Sequence, residues 1–378
     1  MRTITYTLAF TFFFAVWGSL AQNDSAVSEQ PKNRTWRFAV AGDSRNCGDL
    51  IMPAIARSAA SNNARFYWHL GDLRAIYDFD EDMLQAAKLR AQHLSISTYE
   101  SSAWDDFSKN QVGPFGEIPF FLGIGNHETV SGLKTREQFL VYFADLLDRK
   151  ELREQRVKDD TPGVMRGPLR AYFHWVADGI DFIYLDNATA DQFDDAQMKW
   201  FEDRLANDMK DQSIRTVVVG MHKALSYSKS QGHSMNESPA GEASGRSAYK
   251  SLLKLHNEAH KAVYVLASHS HFYMDDIFDT PYWHSNGGVL PGWIVGTAGA
   301  HRYPLPEGSG PNAKTNVYGY LLGTVNASDG LGTIQFSFQE IKEADIPQSV
   351  VNAYTDQFVH WCFAENTDAK SNGAAAEQ

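Results

Sequence analysis

The chain has 378 residues, of which 43% are hydrophobic and 13% are aromatic, so it can bury a large core and is not a disordered or fibrous protein. It has 34 basic and 46 acidic residues, a formal net charge of -12, and this acidic balance excludes a surface built to bind a nucleic-acid scaffold. Cys47 and Cys362 are its only cysteines, which excludes a disulfide framework as the main source of stability.

The first 21 residues have the pattern of a signal peptide. Arg2 is basic, residues 8–20 are mostly apolar, and Ser19 and Ala21 are the small residues expected before a cleavage site. The apolar stretch is shorter than the roughly 18 to 20 residues that cross a bilayer, and no later segment is longer and uncharged. We expect cleavage after Ala21 and a secreted or periplasmic protein without a stable membrane anchor.

The rest of the chain is predicted to form one large domain. Residues 22–34 are expected to be a linker, 35–345 the domain, 346–365 a C-terminal helix, and 366–378, which are small and polar, a disordered tail. In an oxidising compartment Cys47 and Cys362 could pair, but two buried free thiols are equally compatible with the sequence.

Short apolar strands alternate with helical stretches through most of the domain. Strands are predicted at 36–41, 65–70, 119–124, 171–176, 180–185, 215–221 and 262–267. Helices are predicted at 50–61, 82–110 (in one or two pieces), 133–149, 196–211 and 247–258. Between residue 262 and the C-terminal helix, only strands are predicted, as a meander at 272–277, 293–297, 317–325 and 333–341. This order predicts an α/β fold with partly parallel sheets, completed by a second sheet.

Residues that commonly bind metals follow five of the predicted strands. The segments are Gly42-Asp43-Ser44-Arg45, Gly71-Asp72, Gly125-Asn126-His127-Glu128, His222, and Ser268-His269-Ser270-His271. The carboxyl ends of strands in α/β sheets are where ligands gather, so we expect these residues to converge. Carboxylates, an amide oxygen and imidazoles, without cysteine, suit a catalytic site for zinc, manganese or iron and not a structural zinc site.

The order Gly-Asp, Gly-Asp, Gly-Asn-His-Glu, His and His-x-His resembles that of the calcineurin-like metallophosphoesterases, the superfamily that includes purple acid phosphatases. The motifs extend from Asp43 to His271. The resemblance implies a four-layer αββα sandwich of two mixed β-sheets flanked by helices, and two divalent or trivalent metal ions (Fe, Mn or Zn). It implies hydrolysis of phosphate mono- or diesters, of small or macromolecular substrates, by a metal-activated hydroxide.

The same resemblance implies a role for each residue. Asp72 is similar to the bridging carboxylate, Asn126, His222 and His269 to the other ligands of one metal, and Asp43 and His271 to ligands of the second. His127 is similar to the family's non-ligand histidine, which contacts the phosphate and protonates the leaving group. Glu128 is expected to orient the loop of His127.

One position departs from the family pattern. The first motif is usually Asp-x-His, but Arg45 occupies the third position, and a guanidinium cannot donate a lone pair to a metal. We expect Arg45 to point into the pocket and to bind substrate phosphate. Tyr77 is a possible replacement ligand, against ordinary packing as the alternative.

Further substrate contacts are possible in two other segments. Residues 226–246, rich in Ser and Gly, are predicted to be a long loop, either a lid carrying His233 and Ser234 or a surface insertion. His301 and Arg302 follow a small-residue turn. The alternative to an enzyme is a phospholigand-binding protein with one defective metal site; a metallopeptidase is disfavoured because His-Glu-x-x-His is missing.

Overall fold

The computed structural model describes residues 35–130, 134–160, 168–326 and 332–367. The strands are β1 (Trp36–Ala41), β2 (Ala64–His69), β3 (Phe120–Leu122), β4 (Phe173–Ala177), β5 (Ile180–Leu185), β6 (Thr216–Met221), β7 (Ala262–Ala267), β8 (Tyr273–Met274), β9 (Gly292–Val295), β10 (Tyr318–Val325) and β11 (Ile334–Ile341). The helices are α1 (Gly48–Ser61), α2 (Glu81–Leu89), α3 (Ile96–Asp106), α4 (Arg136–Tyr142), α5 (Ala144–Leu147), α6 (Lys150–Gln155), α7 (Asp195–Lys210), α8 (Pro239–Ala259), α9 (Pro281–Ser285), α10 (Gln348–Ala353) and α11 (Asp356–Ala364).

These strands form two mixed β-sheets. The first sheet has the order β11-β10-β1-β2-β3, and the second has the order β4-β5-β6-β7-β9-β8. β1, β2 and β3 are parallel, as are β5, β6, β7 and β9, while antiparallel strands complete the edges. Their parallel strands therefore bring successive carboxyl ends to one edge of each sheet.

The sheets pack face to face through aromatic side chains. Phe182 of β5 lies 5.2 Å, between ring centroids, from both Phe38 of β1 and Phe66 of β2. The intervening residue Ile183 belongs instead to a second core that includes Leu252 of α8. This alternation follows from the two-residue period of a strand, because both faces of the second sheet are covered. With α1 against the first sheet and α8 against the second, the α/β fold is a pair of mixed sheets with flanking helices, as expected.

Each predicted strand overlaps a strand of the structure, but the prediction of a meander after residue 262 is wrong. β8 and β9 join the second sheet, whereas β10 and β11 join the first. β10 is buried over nearly its whole length, so it fits between the central strand β1 and the edge strand β11, with which it pairs antiparallel. The helix α9 also lies in this stretch, where none was predicted, while α10 and α11 lie in the segment predicted as the C-terminal helix.

Several helix boundaries differ from the predicted ones. The predicted helix 133–149 is divided at Phe143, whose φ of -95° and ψ of 22° leave the helical region. The C-terminal segment 346–365 forms α10 and α11, separated at Tyr354 and Thr355. The second half of the predicted 226–246 loop is helical, because Ser238 caps α8 by accepting a hydrogen bond from the backbone N–H of Gly241 and Pro239 occupies the first turn.

The predicted signal peptide and linker, residues 1–34, lie outside the described residues, as do residues 368–378 of the predicted tail. Asn366 begins that tail, yet its side chain is buried and donates hydrogen bonds to the oxygen of Gly299 and the hydroxyl of Tyr318. Within the described ranges, no helix combines the length and the apolar character needed to cross a bilayer.

Cys47 and Cys362 form a disulfide that joins positions 315 residues apart in sequence. The bond connects the turn after β1 to α11, and both cysteines are fully buried. Arg302 supports the same junction, because its guanidinium donates hydrogen bonds to the carbonyl oxygens of Cys362 and Phe363 at the end of α11. The disulfide thus fixes the C-terminal helices beside the loop that carries Asp43.

Replacing both cysteines with alanine is expected to lower the free energy of unfolding by about 2–5 kcal/mol, because the crosslink restricts the unfolded chain. Denaturant unfolding of the wild type with and without reductant, beside the double variant, measures this change. The reduced wild type should match the variant. Alkylation of both thiols in the unfolded, unreduced wild type would contradict the pairing.

Candidate metal centre

Four of the predicted ligands converge at the carboxyl ends of the strands. The Nε2 atom of His222 lies 2.9 Å from Oδ1 of Asn126, 3.1 Å from Nδ1 of His269 and 3.2 Å from Oδ1 of Asp72. The four side chains come from loops after β2, β3, β6 and β7. We call this set of four residues the first cluster.

The spacing in the first cluster fits a bound metal ion. Ligand atoms at about 2.0–2.2 Å from one ion lie about 2.8–3.6 Å apart in tetrahedral or octahedral geometry. All three distances to His222 fall in this range. The donor set of one carboxylate, one amide oxygen and two imidazoles suits zinc, manganese or iron.

Asp43, Asp72 and His271 form a second cluster, in which Asp72 is shared with the first. Oδ1 of Asp43 lies 3.3 Å from Nε2 of His271. The same oxygen is buried and accepts no hydrogen bond, although Oδ2 accepts one from the backbone N–H of His269. A buried carboxylate oxygen without a donor is costly unless a cation faces it.

Unusual backbone conformations aim several of these ligands. Asp43, Asp72 and His269 have φ values of 61°, 60° and 65°, in the left-handed region that residues other than glycine rarely occupy. Gly71 precedes Asp72 with a φ of 96°, and a Cβ there would collide with the backbone of Gly125. Strained conformations of this kind persist only where the surrounding structure holds them, and they are common at functional sites.

Glu128 holds two of the ligand loops together. Its carboxylate is fully buried and accepts hydrogen bonds from the backbone N–H groups of Asp72 at 2.9 Å, Leu73 at 2.9 Å and Gly125 at 2.7 Å. Burial and the Asp72 charge raise the pKa of Glu128 to about 8, although the backbone donors oppose this rise. The side chain therefore fixes the loops of Asp72 and Asn126 relative to each other.

His222 and His271 are each oriented by a backbone carbonyl. Nδ1 of His222 donates to the oxygen of Leu70 at 3.0 Å, and Nδ1 of His271 donates to the oxygen of His301 at 2.6 Å. With the proton on Nδ1, the Nε2 atom of each ring faces its cluster. This arrangement is usual for metal-binding histidines.

The charges of the buried side chains in the first cluster favour the binding of a cation. Burial lowers the pKa of His222, but the carboxylates of Asp72, Asp43 and Glu128 together raise it to about 9. Burial and the neighbouring His222 lower the pKa of His269 well below its ordinary value. The paired carboxylate and imidazoles thus favour a cation between them.

His127 lies beside the clusters. Its backbone N–H donates to Oδ1 of Asp72 at 3.0 Å, its Nδ1 donates to the oxygen of Ala75 at 2.6 Å, and its ring stacks on that of Tyr77 at 4.9 Å. Burial and the charge of Arg45 lower the pKa of His127 to about 4. Tyr77, considered above as a replacement ligand, is 57% exposed, and its ring packs on that of His127.

Arg45 points into the pocket, as expected, and is almost completely buried. Its Nη1 contacts Nε2 of His127, and its Nη2 lies 3.3 Å from Nε2 of His271. Arg45 therefore lies beside the second cluster, where the family's usual histidine is missing.

The weaker candidates have different outcomes. His233 lies near the first cluster, with its ring 5.5 Å from that of His269, and it could hold a cation together with Glu237 and His269. Ser234 caps a short turn at Met235–Glu237. Arg302 donates hydrogen bonds to the carbonyl oxygens of Cys362 and Phe363, and its possible contact with substrate stays a prediction. Tyr303 stacks on His271 at 4.1 Å; no motif marked it in the sequence.

Solved structures with a similar fold have low sequence identity. A purple acid phosphatase, PPD1, from yellow lupin (Lupinus luteus) seeds has a TM-score of 0.48 and 16% identity, over 83% of this chain and 55% of that one. GAP50, the anchor in the inner membrane complex of Plasmodium, has a TM-score of 0.45 and 12% identity, over 90% of this chain and 99% of that one. PhoD has a TM-score of 0.45 and 13% identity, over 82% of this chain and 72% of that one. This chain spans about half the length of the lupin enzyme.

A comparison with curated proteins gives no match. The model of the calcineurin-like phosphoesterase family matches residues 37–273, a range that contains both clusters, Arg45 and His127. This family consists of metal-dependent hydrolases of phosphoric esters and implies a two-metal centre. The chain belongs to the calcineurin-like phosphoesterase family.

Proposed function

We propose that this protein is an exported phosphoesterase that hydrolyses phosphate mono- or diesters with metal ions held by Asp43, Asp72, Asn126, His222, His269 and His271. The observation that carries the proposal is the convergence of the first cluster on His222 at 2.9–3.2 Å. Bound metal ions would lower the pKa of a water and neutralise charge on the phosphoryl oxygens. Metal analysis of the purified chain would identify these ions among iron, manganese and zinc.

Two side chains of this chain act on the ester itself in the proposal. Arg45 supplies a permanent positive charge and several N–H donors to the phosphoryl oxygens. His127, when protonated on Nε2, gives that proton to the oxygen of the leaving group. Glu128 acts through the loops that it holds and does not reach the substrate.

Export is the second part of the proposal. The pattern of residues 1–21 supports it, and the buried disulfide is typical of proteins that fold outside a reducing cytosol. Expression of the whole chain in a bacterial host should yield a protein in the periplasm whose first residue is Gln22. Retention of residues 1–21 on the purified protein would contradict it.

One observation favours a phospholigand-binding protein instead. Arg45 contacts His271, a predicted metal ligand, and the second cluster lacks the family's usual additional histidine. A protein of this kind would bind phosphate without hydrolysing its esters. An assay that follows both binding and turnover separates the two functions.

The chain from Gln22 onward is expected to hydrolyse p-nitrophenyl phosphate or bis-p-nitrophenyl phosphate, and exhaustive chelation should lower the rate at least about 100-fold. Mn²⁺, Zn²⁺ or Fe²⁺ added back singly should restore it and identify the metal. A metal-loaded protein that binds phosphate but hydrolyses neither ester would support the binding protein. Full activity after verified removal of metal would contradict metal-dependent hydrolysis.

A further inference from the structure

The Arg45 guanidinium joins two rings at the edge of the second cluster. Nη1 donates to His127 and Nη2 donates to His271, so each terminal nitrogen directs one of its two N–H groups at a ring. The Nδ1 proton of each ring is already held by a backbone carbonyl, of Ala75 for His127 and of His301 for His271. The atom left to accept from Arg45 is Nε2 in both rings.

This contact engages the lone pair that the second cluster needs. A metal ligand must offer a free lone pair, and in His271 that lone pair belongs to Nε2. Nε2 faces Arg45 at 3.3 Å and Asp43 Oδ1 at the same distance. Arg45 and a metal ion would therefore compete for one atom.

The charges of the cluster point the same way. Burial lowers the pKa of Arg45, but Asp72, Tyr303, Tyr77 and Asp43 together raise it above its ordinary value. Two of these, Asp43 and Asp72, are the carboxylates of the second cluster. The positively charged guanidinium already interacts with these two carboxylates. It therefore repels a second cation placed beside them at short range.

The position of Arg45 is fixed by its surroundings. The backbone N–H of Ser44 donates to the oxygen of Asp72 at 3.0 Å, and that of Cys47 donates to the oxygen of Arg45 at 2.8 Å. Two residues beyond Arg45, the disulfide ties Cys47 to α11. The side chain is only 8% exposed, so the loop holds the guanidinium inside the pocket.

We propose that the Arg45 guanidinium takes the place of the second metal ion, so that this chain binds one ion tightly, in the first cluster. The inference rests on the proposed metal-dependent function and revises one part of it, the metal ion assigned there to Asp43 and His271. In this arrangement Arg45 supplies the positive charge on the side of Asp43 and His271. It also orients both histidine rings by donating to them.

The test is a titration of the metal-free chain with Mn²⁺, in which binding is measured by calorimetry and by electron paramagnetic resonance. The wild type is expected to bind one Mn²⁺ per chain, with any second ion at least about 100-fold weaker, and to give the resolved spectrum of an isolated ion. Arg45→His is expected to bind two and to give the spectrum of an exchange-coupled pair. Arg45→Gln, which keeps hydrogen-bonding groups but removes the charge, is a second variant in case the first does not fold.

Arg65→His is the matched control, because Arg65 is exposed and its guanidinium pairs with Asp178, which belongs to neither cluster; it should keep one ion. A second ion in either Arg45 variant supports the proposal. A wild type that binds two ions with similar affinity overturns it, as does a single ion in both variants. Ester hydrolysis is measured separately, so an inactive chain with one tightly bound ion would overturn only the proposed function, whereas a chain that binds no Mn²⁺ would overturn both.

Discussion

Replacing Asp72 with asparagine is expected to lower kcat/KM for phosphate esters by about 10³-fold or more, since the metals of such sites supply several kcal/mol of transition-state stabilisation. Asp72 is the one carboxylate shared by both clusters. Asparagine has the same shape and tolerates the left-handed backbone that Asp72 adopts, with a φ of 60°. The substitution therefore removes the charge while preserving the local backbone.

The matched control is Asp178→Asn. Asp178 also has a left-handed backbone, with a φ of 49°, but its side chain is half exposed and pairs with Arg65. This variant should keep the wild-type metal content and rate, because exposed ion pairs contribute little to stability. Metal content, unfolding temperature and kcat/KM are measured for both variants. An Asp72→Asn protein that is folded and retains both metal and activity would remove Asp72 from the proposed site.

The candidate ligands could be found from the sequence because each lies within a few residues of the end of a buried strand. Apolar runs such as β1 and β6 are recognisable without a structure, and the chemistry of the residues after them, Asp43 and His222, is fixed by residue type. Parallel pairing brings the strand ends together whatever the intervening loops do. Strand positions and polar residues at their ends were therefore sufficient to predict the convergence.

Other features depend on contacts between residues distant in sequence, and no local pattern encodes them. The division of the last four strands between two sheets depends on how β10 packs beside β1. The stacking of Tyr303 on His271 depends on a loop that is distant from His271 in sequence. The disulfide was compatible with the sequence but not required by it. The start of α8 was different, because Ser238 and Pro239 form a local capping signal that was present in the sequence and not used.

His127→Ala is expected to leave metal content nearly unchanged and to slow hydrolysis of alkyl phosphates by about 10²-fold or more, because alkoxides are poor leaving groups and need a proton. p-Nitrophenyl esters should be much less affected, since nitrophenolate leaves without one. His284→Ala is the control: His284 is 63% exposed and pairs with Asp279. Loss of metal from the His127 variant would mean that a ligand had been mistaken for an acid.

The pH dependence of hydrolysis by the wild type and the His127→Ala variant tests the role of His127 more directly. Because burial and Arg45 lower the pKa of His127 to about 4, the ring is almost entirely neutral at pH 7, and its protonated fraction rises about tenfold for each unit by which the pH falls toward 4. The ratio of wild-type to His127→Ala rates on alkyl phosphates should therefore increase between pH 7 and pH 5. A ratio that stays constant over this range, or that falls, would show that His127 binds the phosphate as a neutral ring and does not protonate the leaving group.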